Sequence, residues 1–233
     1  MKLLIISLTF TLIFPILIYA FDDDFNDGNA DGWLVAAGKW EVTNGEYHAP
    51  EQVNAAPYPL TFILDGKELS EFTMKAKVRN DKFHTTMNQS HAGFAFGMDS
   101  KNTGYVLYFR FHKGVKCADV ASLVLRYAIE NCTKGFDPNA DVAEGCGVFE
   151  AGDKEKWHIL EAQVNTKNGT LKAWVDGNQA LDIDIKLTPG KVGLWVADIG
   201  AASFDDVSII GPGLAVKSDG NISTTWGDVK NKN

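Results

Sequence analysis

Tyr108, Arg110 and His112 lie at alternate positions of a run whose other members, Tyr105, Leu107, Phe109 and Phe111, are bulky and mostly apolar. Successive side chains of a β-strand face opposite ways, so the three share the side that the apolar set leaves open. The same parity turns Arg126, Glu161, Trp174 and Trp195 outward on other strands, with His91, Gly93 and Ala95 as a low floor between them. An aromatic face covers the C–H surface of a sugar ring, and Arg, His and Glu bond its hydroxyls. The set is therefore a candidate groove for a glycan. The competing reading is that these aromatics pack beneath an insertion or the C-terminal tail.

Carboxylates form a second candidate. Asp22, Asp23 and Asp24 open the first strand and Asp205-Asp206 sit in the last. Brought together, they would repel unless a cation or hydrogen bonds offset them. Asp27-Gly28-Asn29-Ala30-Asp31-Gly32 matches the first six positions of an EF-hand loop, but Gly38 stands where the bidentate Glu belongs. A hydrogen-bonded turn is the favoured reading there. No GxSxG, HExxH or phosphate-loop motif occurs. His48, His84, His91, His112 and His158 are scattered and read as structural or surface residues.

The elements that position these residues are strands. Apolar alternation runs through Phe72–Val78, Ala92–Met98, Tyr105–Phe111, Leu160–Val164, Leu171–Val175 and Val192–Val196. Lys167-Asn168-Gly169, Asp176-Gly177-Asn178 and Thr188-Pro189-Gly190 are turn signals between them. Such spacing predicts an all-β, two-sheet antiparallel sandwich. A short helix is expected near 65–70. The segment from 113 to 156 reads as an elaborated hairpin at a sandwich edge, with a polar loop over 131–147.

Length and charge narrow the function. The chain has 233 residues, of which 45% are hydrophobic, and a formal net charge of −8. That suits one large β domain, and it disfavours nucleic acid or an anionic membrane as the main partner, since both require a basic surface. Residues 1–20 have the Lys2, apolar-run and small-residue order of a secretory signal, cleaved after Ala20. The competing reading is an uncleaved membrane anchor; after cleavage no membrane span is expected. Residues 211–233, with Trp226, read as a tail. In an oxidising compartment Cys117 and Cys132 are the first choice for a disulfide, leaving Cys146 over. Asn88, Asn131, Asn168 and Asn221 begin glycosylation sequons.

Two segments carry a family resemblance: residues 21–49, FDDDFNDGNADGWLVAAGKWEVTNGEYHA, and the stretch from Trp157 to Ile209 with its VDG hairpin, GKVGLW strand and closing FDDV. Together they resemble the concanavalin A-like lectin/glucanase superfamily, in particular its laminin-G-like and carbohydrate-binding jelly rolls, over residues 21–210. The resemblance implies a jelly roll whose terminal strands are neighbours. It implies a structural calcium at that junction, carried to Asp24 and Asp206 and less directly to Asp22 and Asp205. Glucanases of the superfamily present their carboxylates as ExDxxE, a spacing absent here. The expectation is thus an exported, non-catalytic glycan-binding domain. The alternatives are a hydrolase of the keto-disaccharide type and a laminin-G-like adhesion module. N-terminal sequencing of the exported protein should begin at Phe21; a start at Met1 would make the apolar run an anchor.

Overall fold

The computed structural model describes residues 19–51, 57–63, 66–82, 90–110, 121–133, 140–153, 155–197, 200–212 and 214. His112, Cys117, Trp226 and the sequons at Asn88 and Asn221 lie outside them. In chain order the strands are β1 Tyr19–Asp23, β2 Trp33–Ala37, β3 Glu41–Thr43, β4 Glu46–Ala49, β5 Leu60–Ile63, β6 Glu68–Leu69, β7 Glu71–Lys82 and β8 His91–Met98. They continue with β9 Gly104–Arg110, β10 Ser122–Ala128, β11 Asp141–Cys146, β12 His158–Asn165, β13 Thr170–Val175, β14 Asn178–Asp184, β15 Gly190–Ala197 and β16 Ala201–Gly211.

Two antiparallel sheets result. The first runs β14-β13-β12-β7-β16-β4-β3, with β1 added against β16. The second runs β11-β10-β9-β8-β15-β5-β2, with β6 added against β15. The expected jelly-roll sandwich is therefore formed, and its terminal strands are neighbours, with Asp22 opposite Ser208 and Asp23 opposite Val207.

The core between the sheets uses the alternation visible in the sequence. Phe72, Met74, Ala76 and Val78 of β7 meet Phe94, Phe96, Leu107, Phe109, Leu123, Leu125 and Leu194 of the second sheet in one buried cluster. Parity fails where the backbone carries an extra residue. At Gly97, with φ +62°, the pattern slips, so Met98 leaves the inter-sheet core and packs on the opposite face. In β16 the register shifts between Asp205 and Ser208 and Asp206 takes φ +47°. Phe204 and Val207 consequently both reach the core.

The turns follow their residue types. Asp176 and Gly177, at φ +50° and +81°, close the β13–β14 hairpin in the left-handed conformation that a two-residue turn of this kind requires. The EF-hand-like segment is a set of side-chain-braced turns: Asp27 Oδ1 accepts from Asn29 N at 3.1 Å, and Asn29 Oδ1 accepts from Asp31 N at 2.9 Å. Three expectations need correction. The proposed helix near 65–70 gives way to β6, which pairs with β15. The expected polar loop over 131–147 contains β11, the edge strand of the second sheet, since Val124 and Leu125 of β10 offer an apolar neighbour on which it can pair. The expected Cys117–Cys132 bridge is also not formed, because Cys132 is a buried thiol.

Gly193 shows how close the strands of the second sheet come. A Cβ built there would stand 1.7 Å from the carbonyl oxygen of Thr61 on β5. Backbone, unlike a long side chain, has nowhere to go. Gly193→Ala should therefore destabilise the fold by roughly 3 kcal/mol, the upper range for overpacking, read as a shifted denaturant midpoint.

Candidate functional site

Four of the sequence-derived ligand residues, Tyr108, Arg110, Arg126 and Trp195, do lie together on the outer face of the second sheet. They are not exposed. Tyr108 and Trp195 are 0% accessible, Arg110 is 5% and Arg126 is 3%. Their parity was read correctly, but a second layer covers the face. Tyr58, Leu60, Phe62, Ala95, Val106, Val124 and Cys132 join Tyr108 and Trp195 in a buried cluster separate from the inter-sheet core.

Beside that cluster is a buried ionic network. Asp141 Oδ2 accepts from Arg110 Nη1 at 2.7 Å, while its Oδ1 accepts from Arg126 Nε at 2.7 Å and lies 2.6 Å from Arg126 Nη2. Glu144 takes the other Arg110 nitrogen, Nη2. Burial pulls the Arg110 guanidinium down, but its hydrogen bonds to Glu144 and Asp141 outweigh this and hold it above its ordinary range. One local feature makes the network geometrically feasible. The β10–β11 register shifts between Leu125 and Arg126, so Ala143 opposes Leu125 while Asp141 opposes Arg126. The extra residue, Val142, is turned to solvent. In a regular strand Asp141 and Glu144 would face opposite sides; the bulge aims both at the arginines.

Trp195 is fixed by hydrogen bonding as well as packing. Its Nε1 donates to Asn131 Oδ1 at 2.9 Å, and Asn131 Nδ2 donates to the Tyr58 carbonyl at 2.7 Å. Asn131 stands in a turn whose residues Glu130, Asn131 and Cys132 have φ of +47°, +52° and +57°. Three consecutive L-residues in this region cost about 1–2 kcal/mol each, so the turn persists because the contacts around it hold it. The buried, doubly bonded amide also leaves the Asn131 sequon inaccessible in the folded chain. Tyr108 packs between His91 and Trp195, with ring centroids 4.7 and 5.3 Å away. Asp141 and Glu144 were not singled out from sequence, and Asn131 only as the start of a sequon. The only signal for the first two was their D-x-x-E spacing, the second half of ExDxxE with Asn139 in place of the leading Glu.

Glu161 and Trp174 do not belong to this site. They face outward from β12 and β13 of the first sheet, on the opposite side of the sandwich, and are cross-strand partners of one another. Glu161 pairs with Lys75 at 3.7 Å. Parity reports the face of a strand but not the sheet it enters, which long-range pairing decides.

The terminal strands pair as expected, with Asp22 opposite Ser208 and Asp23 opposite Val207, but the neighbours of their acidic residues do not suit calcium. The β16 bulge points Asp205 and Asp206 the same way, and Lys77 Nζ lies 3.2 Å from Asp205 and 2.5 Å from Asp206. These carboxylates hold the ammonium above its usual range. Asp23 accepts from Trp33 Nε1 at 2.7 Å and from Phe25 N at 3.0 Å. Hydrogen bonds from Asn26 keep the Asp24 carboxyl below the usual carboxylate range, and Asp22 is exposed. Among the described residues no three His, Cys, Asp or Glu side chains converge as a metal site. A lysine ammonium offsets the charge that the sequence reading assigned to an ion, and the residues present do not fit one.

With this geometry in view, the chain can be compared with known proteins. No protein-family model matches the sequence, and no curated protein matches it significantly. Solved structures do match in fold. A carbohydrate-binding module, CBM66 from Bacillus subtilis, has a TM-score of 0.55 at 17% identity, covering 77% of this chain and 96% of that one. The carbohydrate recognition domain of Emp47p has a TM-score of 0.57 at 14% identity, covering 84% and 96% respectively. A Bacillus licheniformis β-glucanase has a TM-score of 0.54 at 14% identity, covering 82% and 97%. The chain thus has the concanavalin A-like jelly-roll fold that the sequence resemblance implied.

Removing Asp141 would take a carboxylate from two buried guanidinium groups. Asp141→Ala should cost about 3–5 kcal/mol, as when one partner of a buried ion pair is deleted, whereas Lys75→Ala on the exposed first-sheet pair should cost under about 1 kcal/mol. Equal denaturant midpoints for the two variants would show that the network contributes nothing special.

Proposed function

We propose that the protein is an exported, non-catalytic carbohydrate-binding β-sandwich whose ligand face is the outer side of the second sheet. One observation carries this reading: Arg110, Arg126, Asp141, Glu144 and His91 are gathered with Tyr108 and Trp195 on a sheet whose other face already supplies the core. Burying those ions costs several kcal/mol each before they pair, and apolar residues of similar volume would avoid that cost. The chemistry suits a sugar, with paired charges for hydroxyls and ring faces for C–H surface. Solved structures of the same fold that are carbohydrate-binding or carbohydrate-recognition domains support the class. Access to Trp195 requires the Tyr58 and Asn131 contacts above it to part.

The proposed partner is a polysaccharide or glycan; among the described residues no helix is long and apolar enough to cross a membrane. Calcium is not part of this reading, because Lys77 holds the carboxylates at the terminal strands. In an oxidising compartment the disulfide would fall to Cys146 and Cys117, Cys132 being the buried thiol.

A hydrolase is the second reading. Its specific support is that the bulge places Asp141 and Glu144 on the ligand face, since glycoside hydrolysis uses two carboxyls. Both are bonded to arginines, which disfavours either as a freely exchanging acid or base.

A glycan array tests the proposal. Tyr108→Phe removes only a hydroxyl, and Glu144→Gln only a charge. Each should weaken retention of the bound glycan about tenfold, the scale of one lost hydrogen bond; the melting temperature should stay nearly unchanged for Tyr108→Phe and fall for Glu144→Gln, which takes the charge from a buried partner of Arg110. No glycan retained by the wild type, or full retention by both variants, would sink the proposal. Release of reducing sugar that is lost in Glu144→Gln would favour the hydrolase.

A further inference from the structure

The first sheet carries an open pocket of about 330 Å³ on its own outer face, on the far side of the sandwich from Trp195. Its lining comes from the β3–β4 turn, β4, β7 and β16, and includes Asn44, Glu46, His48, Arg79, Asp81 and Ser203. Glu46, Arg79, Asp81, Ser203 and His48 form a continuous chain of polar contacts. Glu46 takes Arg79 Nη1 at 3.1 Å and Nη2 at 2.6 Å. Arg79 Nε bonds Asp81 Oδ1. Ser203 Oγ donates to Asp81 Oδ2 at 2.6 Å. The Arg79 guanidinium lies 4.3 Å from the ring centroid of Trp157, which fixes its plane.

The direction of the last bond follows from proton counting. Ser203 has one hydroxyl proton, and Asp81 receives it. The 3.0 Å contact between Ser203 Oγ and His48 Nδ1 must therefore have Nδ1–H as the donor. Asp81 Oδ2, 3.2 Å from the same nitrogen, reinforces that tautomer. In the neutral ring this leaves Nε2 as an acceptor. The arrangement is not a nucleophilic relay, because serine and aspartate both address the same ring nitrogen rather than opposite ones.

Charge then selects a ligand. With the His48 ring neutral, Glu46 and Asp81 are two carboxylates against the one guanidinium of Arg79, so the pocket has a net negative charge. The geometry points to a second saccharide subsite, specific for neutral or amine-bearing sugars and closed to uronic or sulfated ones. It does not depend on the second sheet: either site can exist without the other.

His48→Asn is the discriminating variant. An asparagine amide reproduces the donor at the Nδ1 position, so the bonds to Ser203 and Asp81 and the melting temperature should survive, while the Nε2 acceptor is deleted. Saturation-transfer NMR with neutral hexosides, 2-amino-2-deoxyhexosides and matched uronates, together with the His48 ring resonance, reads the outcome. A neutral or amine-bearing sugar should bind the wild type and shift its His48 ring resonance, His48→Asn should bind that sugar about tenfold more weakly, and the uronates should leave the His48 resonance unmoved. Equal binding by His48→Asn, a His48 shift from uronates comparable with that from neutral sugars, or no His48 shift from any neutral or amine-bearing sugar would each overturn the subsite. The His48 ring resonance, which lies on the first sheet, separates its failure from failure of the second-sheet proposal.

Discussion

The central strands of the second sheet, β8, β9, β10 and β15, are buried on both faces, and most of what is unusual in this molecule follows from that. A sandwich needs only one buried face per sheet. The inner face here meets the first sheet through ordinary aliphatic and aromatic packing. The outer face is covered too, yet it holds two arginines, and two buried guanidinium groups need anions within bonding distance. Asp141 serves both of them and Glu144 serves one. The glycines fit the same constraint. Gly93 and Gly193 have neighbouring-strand carbonyl oxygens, of Leu107 and Thr61, where a Cβ would stand, so the strands lie closer than side chains on that face would allow.

Single-residue bulges do much of the aiming. One at Val142 turns Asp141 toward the arginines, and another at Asp206 turns two adjacent aspartates toward Lys77. A regular strand sends neighbours to opposite faces, so neither arrangement is available without an extra residue. The consequences differ. Exposed Asp206 and Lys77 fasten β16 to β7 from outside, where solvent screens the pair and its contribution is modest. The pairs at Asp141 lie in a buried setting, where breaking one is costly.

The alternation in the sequence was enough for the sheet-forming strands, for the inner core of β7, β12 and β13, and for the turn at Asp176-Gly177. It also assigned Tyr108 and Trp195 to the outer face. It left open whether this face is exposed or packed beneath an insertion; at Trp195 the second holds, through Tyr58 and through Asn131 of the 113–156 insertion. Nor could it separate Glu161 and Trp174 from the arginines, since strand order between sheets is a long-range property. Met98 was misplaced because a single left-handed glycine before it shifts the parity. The acidic terminal strands were brought together as the resemblance implied, but the compensating cation came from β7, where Lys77 had looked like an ordinary solvent-facing residue.

The central claim is that the covered outer face of the second sheet exists to hold a ligand. Hydrogen exchange, followed by mass spectrometry with and without a retained glycan, tests it most directly. The account predicts added protection in β9, β10 and the 130–132 turn at saturating glycan. Unchanged exchange in those segments, with protection confined to loops elsewhere, would contradict it.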